Sequence, residues 1–96
     1  MLRHLVFFRF KPGVREDEII DLQDSLRSLP GRIPDISGFE VGRDVVRSER
    51  SYDLALFSTF EDLPAMQRYQ VHPDHQAVVA KVRQLCDSVV AVDYQA

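Results

Sequence analysis

The sequence predicts one α+β domain over residues 1–96, with the element order β-α-β-β-α-β that defines the ferredoxin-like fold. Three observations lead to this prediction. Strand-type alternation of side chains opens and closes the chain. Apolar residues at helical spacing occur in two regions between those strands. The chain is also short, and 96 residues can bury only one small core.

The opening strand presents two different faces. Side chains alternate over residues 2–11 because successive residues of a strand point to opposite sides of a sheet. One face carries a histidine among apolar side chains, namely His4, Val6 and Phe8. The opposite face includes Leu5 and Phe7. A Pro-Gly pair follows and ends the strand, since proline cannot donate to a strand ladder.

The remaining elements follow from local signals. An acidic first turn and four apolar residues at helical spacing predict a helix over residues 15–29. Two β-type segments come next, residues 37–46 and 52–60, and the polar stretch RSER between them predicts a hairpin. The helical region after the hairpin is broken at Pro73, which suits the first turn of a new helix. The last strand is predicted over residues 88–94.

Composition excludes several classes of partner. The formal charge is −3, from 12 basic and 15 acidic residues that are scattered along the chain, so no cationic stripe is available for nucleic acid. The longest early apolar run, residues 5–8, is too short for a signal peptide or a membrane span. Cys86 is the single cysteine and can form no intrachain disulfide. We therefore expect a cytoplasmic protein with no membrane or nucleic-acid partner.

The outward face of the first strand predicts a protein partner. Helices on one side of a four-stranded sheet leave the other side uncovered, and here that side carries Leu5 and Phe7. A second copy packed face to face would cover these residues and close a barrel. We expect a homodimer with Leu5 and Phe7 in its interface, and higher oligomers remain open.

The segment YQVHPDHQAVV, residues 69–79, contains the candidate site. If helices cover the His4 face of the first strand, His4 could meet Tyr69 and His75 in the space between sheet and helices, where concave ligand sites form. Imidazole can take and return a proton near neutral pH, and a phenol can orient a substrate oxygen. Such acid–base chemistry needs no cofactor.

A structural interpretation competes with the catalytic one. His72 would cap the new helix, His75 would lie in its exposed first turn, and His4 would bond a backbone carbonyl. Spacing alone favours this interpretation, because a His-x-x-His pair is a weak signal. A metal site needs three or more converging ligands, and Pro73 keeps His72 and His75 from sharing one continuous helix. We predict no metal and no cofactor.

Four segments resemble the Dabb family of stress-responsive α/β-barrel proteins: HLVFFRFKPGV, LPGRIPDISGFEVGRD, SYDLALFSTFEDLPAMQRYQVHPDHQAVV and VAVDY. The resemblance spans nearly the whole chain and implies a ferredoxin-like protomer in a dimeric α+β barrel. The family includes a cofactor-free polyketide cyclase. Its motif YxxHPxH places the implied catalytic residues at His75 and Tyr69, with a further histidine at His4. This chain departs from the cyclase at Leu54, where the resemblance implies a further pocket histidine, and this departure argues against the same substrate.

The sequence leaves three functions open. The first is binding of a hydrophobic small molecule between sheet and helices, in a pocket lined by the catalytic candidates and by His72, Val6, Phe8, Leu54 and Val79. The second is a cofactor-free cyclase or isomerase in which His75 abstracts a proton and Tyr69 bonds the developing enolate. The third is an oligomeric stress scaffold that acts through its assembly surfaces and not through a small-molecule site. The sequence does not decide whether the protein is an enzyme.

Overall fold

Four antiparallel strands form one sheet, and three α-helices cover one of its faces. The computed structural model describes all 96 residues. The strands are β1 (Leu2–Phe10), β2 (Ile36–Arg43), β3 (Leu54–Phe60) and β4 (Cys86–Gln95), in the spatial order β2-β3-β1-β4. The helices are α1 (Glu16–Arg27), α2 (Leu63–Val71) and α3 (Pro73–Leu85), with a 3-10 turn at Leu29–Gly31. The predicted ferredoxin-like α+β fold is confirmed.

Several predicted boundaries differ from the structure. Helix α1 ends at Arg27 and a separate 3-10 turn follows, because Pro30 cannot continue an α-helical ladder. Strand β4 begins at Cys86 and ends at Gln95, so it is longer at both ends than the predicted strand over residues 88–94. Strand β2 ends at Arg43, and β3 begins at Leu54, so the connection between them is longer than the predicted RSER loop.

Asp53 holds that longer connection in place. Its carboxylate accepts hydrogen bonds from the Phe10 backbone N–H at 2.8 Å and from the Arg47 guanidinium at 2.8 Å. Its backbone N–H donates to the Phe8 carbonyl, and its carbonyl accepts from Asp44. These bonds anchor the loop to β1 and explain why residues 44–53 leave the strand ladder.

The core lies between the sheet and the helices. Alternate residues of β1 and β3 point into it, and they pack against α1, α2 and α3. The largest fully buried side chains are Tyr69, Phe60, Leu22, Leu29, Ile33 and Leu54. The opposite face of the sheet carries partly exposed apolar side chains, including Phe7, Phe57, Val90 and Val92. No helix has the length and apolar character that crossing a membrane requires.

The junction of α2 and α3 places the candidate site residues. Asp62 begins α2 by accepting a hydrogen bond from the Ala65 N–H at 2.9 Å. At the other end, His72 adopts an extended backbone and caps α3, because its Nδ1 accepts from the Asp74 N–H at 3.1 Å. Pro73 follows as the first helical residue. Tyr69 therefore lies in the last turn of one helix and His75 in the first turn of the next.

Candidate functional site

The structure brings three of the predicted site residues together between the sheet and the helix junction. Tyr69 lies at the centre. Its ring centroid is 4.2 Å from that of His75 and 6.3 Å from that of His4, in an edge-on arrangement with the latter. Phe60 closes the other side, with a centroid distance of 5.0 Å to Tyr69. Residues far apart in the chain thus form one aromatic cluster.

The Tyr69 hydroxyl is the only fully buried side-chain polar atom without a hydrogen-bond partner in the protein. Burial raises the pKa of this phenol far above its ordinary value, so the group stays protonated at every physiological pH. An unpaired buried hydroxyl costs about 1–3 kcal/mol of stability. Buried polar groups in native proteins are nearly always paired, so an unpaired buried hydroxyl indicates a candidate functional site.

His75 presents a free lone pair. Its Nδ1 is 3.1 Å from the Gln70 carbonyl oxygen, and a carbonyl can only accept, so Nδ1 carries the hydrogen of the neutral ring. The lone pair is then on Nε2. Burial lowers the pKa of His75, and the Gln70 hydrogen bond opposes this only in part. The neighbouring His4 and His72 lower it further. His75 is therefore neutral at pH 7 and can act as a base.

His4 is oriented in the same way by a different group. Its Nδ1 is hydrogen-bonded to the Asp93 carboxylate, which can only accept when ionised, so Nδ1–H is again the donor. The pairing follows from the sheet, because His4 and Asp93 are opposite each other in the β1–β4 register. Ser58, opposite His4 on the other side, is fully buried and donates to the His4 carbonyl. Carboxylate–imidazole pairs of this kind fix ring orientation.

Asp93 is the site residue that sequence reasoning missed. The available signal was an acidic residue inside the apolar final strand, in VAVDY. In the ferredoxin-like order the first and last strands are neighbours, so that carboxylate falls beside β1. Its partner could not be named without the strand register.

The two imidazoles retain contact with solvent. Neither His4 Nε2 nor His75 Nε2 makes a hydrogen bond within the protein, yet neither belongs to the fully buried unpaired atoms. Both Nε2 atoms are thus free to contact a small molecule. Tyr69 itself is completely covered by its neighbours.

The remaining predicted pocket residues do not gather around this cluster. Phe8 is four residues from His4 along β1, about 13 Å at the strand rise, and Leu54 pairs with Phe8 at that distant end of the sheet. Val6 is a core residue between the two ends. Val79 is half-buried on α3, and His72 is occupied as the helix cap. The five main cavities, of about 210–500 Å³, are lined by residues other than Tyr69, His4 or His75.

Two other features of the side chains bear on the chemistry of this chain. No group of three or more His, Cys, Asp or Glu side chains is placed to hold a metal ion. The Cys86 thiol is buried, and burial raises its pKa to about 11, so it is an unreactive thiol at neutral pH.

The comparison with protein families decides the family of this chain. The sequence model of the stress-responsive A/B barrel domain, Dabb, matches residues 2–96. The chain belongs to the Dabb family. An uncharacterized protein of Streptomyces coelicolor is 37% identical over 97 residues, which cover 99% of each chain. Olivetolic acid cyclase of Cannabis sativa is 25% identical over 95 residues, which cover 97% of this chain and 94% of the cyclase.

Solved structures of similar chains have the same fold. A dimeric ferredoxin-like protein of unknown function from Thermobifida fusca superposes with a TM-score of 0.90 at 28% identity. The alignment covers 99% of this chain and 90% of that protein. The similarity extends through both helices that carry Tyr69 and His75, since nearly the whole Dabb chain is aligned.

Proposed function

We propose that this Dabb protein binds a small hydrophobic carbonyl compound beside Tyr69 and moves a proton on it without a cofactor. The observation that carries the proposal is the state of two neighbouring polar groups, His75 and Tyr69. His75 is a neutral base with a free Nε2, and Tyr69 is a buried donor with no protein partner. A base and an unpaired donor in contact are what proton abstraction next to a carbonyl group requires.

The proposed step balances without any other reactant. His75 Nε2 takes a proton from the carbon next to the carbonyl group, and the electron pair of that C–H bond moves onto the carbonyl oxygen. Tyr69 donates a hydrogen bond to the resulting enolate oxygen. The enolate carbon then attacks a second carbonyl in the same molecule, whose oxygen takes the proton held on His75, or the enolate takes that proton back at another carbon. His4, held by Asp93, is the second imidazole of the cluster, with its ring centroid 6.3 Å from that of Tyr69.

The relatives support this proposal at the level of reaction type. Olivetolic acid cyclase shares the family and 25% of aligned residues with this chain. The low identity, and Leu54 at a position where the resemblance implies a pocket histidine in the cyclase, speak against the same substrate, so we propose the reaction class alone.

We also propose that the chain is a homodimer through its outer sheet face. Leu5, Phe7 and Phe57 lie on that face together with Val90 and Val92 of β4. An apolar cavity of about 240 Å³ on the same face is lined only by hydrophobic residues of β1 and β4. Exposed apolar surfaces of this kind are typical of protein interfaces. The similar solved structure from Thermobifida fusca is dimeric.

One observation favours the scaffold as a second candidate. Tyr69 is completely covered, and the larger cavities are elsewhere. A protein whose work is assembly would pack this cluster shut for stability. The two candidates differ in whether the cluster opens to a small molecule.

Hydrogen–deuterium exchange of a simple ketone separates the two candidates. The probe is 4-phenyl-2-butanone in D₂O buffer, and proton NMR follows loss of the signals next to the carbonyl. We expect wild-type protein to accelerate exchange over buffer, His75→Gln to abolish the acceleration, and Tyr69→Phe to reduce it at least tenfold. The matched control is His72→Asn, which keeps a helix-capping side chain and should exchange like wild type. Absence of acceleration by wild type, or equal acceleration by His75→Gln, overturns the proposal.

A further inference from the structure

Two charged side chains interrupt the apolar outer face of the sheet. Arg3 shares this face with Leu5 and Phe7, because alternate residues of β1 point the same way. Glu40 of β2 is opposite Phe57 in the β2–β3 register, so its side chain also points outward. Both charged side chains are exposed in the single chain. The face proposed to meet a second copy therefore contains one cation and one anion among apolar residues.

Neither charge has a partner within its own chain. The ion pairs of the chain are all made by other residues. Arg3 is level with Gly38 through β3, so Glu40 is two strands away across the sheet and two residues away along it. This separates the Cα atoms of Arg3 and Glu40 by about 12 Å. Arg9 on the same face differs from Arg3, because it pairs with Asp87 at 2.9 Å.

An uncharged partner surface would bury these two groups without compensation. A charged side chain that loses water without gaining an opposite charge lowers the stability of a complex. A protein that covers this face must therefore bring an anion to Arg3 and a cation to Glu40. A second copy of this chain brings both, because a two-fold axis makes the contacts reciprocal. If the partner's Glu40 lies against Arg3, then the partner's Arg3 lies against Glu40.

We propose that Arg3 and Glu40 form two reciprocal ion pairs across the homodimer and select a second copy of this chain as the partner. The pairing rests on the homodimer proposed above and is independent of the proposed proton transfer. The apolar residues of the outer face supply the buried area. The charges fix the orientation in which the two sheets meet, since any other orientation leaves both groups unpaired. A related chain with other charges at these positions would be rejected by repulsion between like charges.

Charge reversal tests the pairing through the dimer dissociation constant, measured by sedimentation of the full chain. The variants are Arg3→Glu, Glu40→Arg and the double variant that contains both changes. We expect each single change to weaken the dimer roughly a hundredfold, because it brings like charges together at both symmetric contacts. The double variant exchanges the two charges and should return to within about tenfold of wild type.

Arg50→Glu is the matched control. Arg50 is an exposed arginine that makes no ion pair, and its reversal changes the net charge as much as Arg3→Glu does. It lies in the loop between β2 and β3 and not on a strand of the outer face. We expect this variant to dimerise like wild type. Because the two paired positions are also exposed in the single chain, each variant should keep the wild-type circular dichroism spectrum.

Three outcomes overturn the proposal. One is a wild-type dissociation constant for Arg3→Glu or for Glu40→Arg. Another is a double variant as weak as the single variants, which would mean that the two charges act separately. The third is equal weakening by Arg50→Glu and Arg3→Glu, which would assign the effect to net charge. A monomeric wild type would overturn the homodimer together with its ion pairs, whereas a dimer that charge reversal leaves unchanged would overturn the ion pairs alone.

Discussion

Replacement of Tyr69 by phenylalanine should make the protein more stable and less active. The side chain is 0% exposed, and its hydroxyl has no partner in the protein. The variant keeps the ring contacts with Phe60 at 5.0 Å and with His75 at 4.2 Å, and it removes only the unpaired group. The ring packing that stabilises the cluster is therefore conserved.

The expected gain follows from the cost of an unpaired hydroxyl. A buried donor without a partner costs about 1–3 kcal/mol, and the small void left by the missing oxygen offsets part of the gain. We expect the free energy of unfolding to rise by about 1 kcal/mol. For a domain of this length, that corresponds to a rise in Tm of about 4–8 °C.

The assay is thermal and urea unfolding of wild type, Tyr69→Phe and the matched control Tyr52→Phe. The Tyr52 hydroxyl is bonded to Ser88 at 2.9 Å, so its removal should lower the free energy of unfolding by about 0.5–1.5 kcal/mol. A rise in Tm for Tyr69→Phe together with a fall in Tm for Tyr52→Phe would support the reasoning. If Tyr69→Phe lowers the Tm as Tyr52→Phe does, the Tyr69 hydroxyl has a partner in the folded protein and is not held for a ligand.

Three further predictions concern the interface, the pH dependence and the hairpin loop. Phe7→Asp should shift the protein from dimer to monomer in sedimentation, because it places a charge in the proposed interface, and an unchanged dimer would argue against that interface. Since the pKa of His75 is lowered, ketone exchange should rise with pH through a pKa below 6.5 and then level off. The free energy of unfolding should depend on pH in the same direction. The folded state favours the neutral His75 ring, so this contribution to stability is present above pH 6.5 and is lost as the pH falls through the folded-state pKa. Burial opposes ionisation of Asp53, yet hydrogen bonds from Phe10 and Arg47 hold its pKa below the ordinary value. Asp53→Ala should therefore cost about 1.5–3 kcal/mol in urea unfolding, and a smaller loss than about 0.5 kcal/mol would contradict the role of this carboxylate.

The site was predictable in part. The motif and the alternation of β1 together named His4, Tyr69 and His75 as neighbours, and the structure places them in one cluster. The prediction of a pocket reaching Leu54 joined residues that lie at opposite ends of the sheet. Alternation indicates which face of a strand a residue occupies, but it contains no information about position along the sheet relative to a helix.

The sequence by itself determined the order and type of the elements, because side-chain periodicity, prolines and acidic first turns act over a few neighbouring residues. It also determined that the sheet has one apolar outer face. Only the tertiary structure decided the chemistry of the site. The pairing of His4 with Asp93 joins residues 89 positions apart through strand register. The Nε2 of His75 is free because the Gln70 carbonyl engages Nδ1. The Tyr69 hydroxyl is unpaired because none of the side chains packed around it places a polar atom within hydrogen-bond distance. Protonation and hydrogen-bond state are set by three-dimensional surroundings, and local sequence patterns do not specify those surroundings.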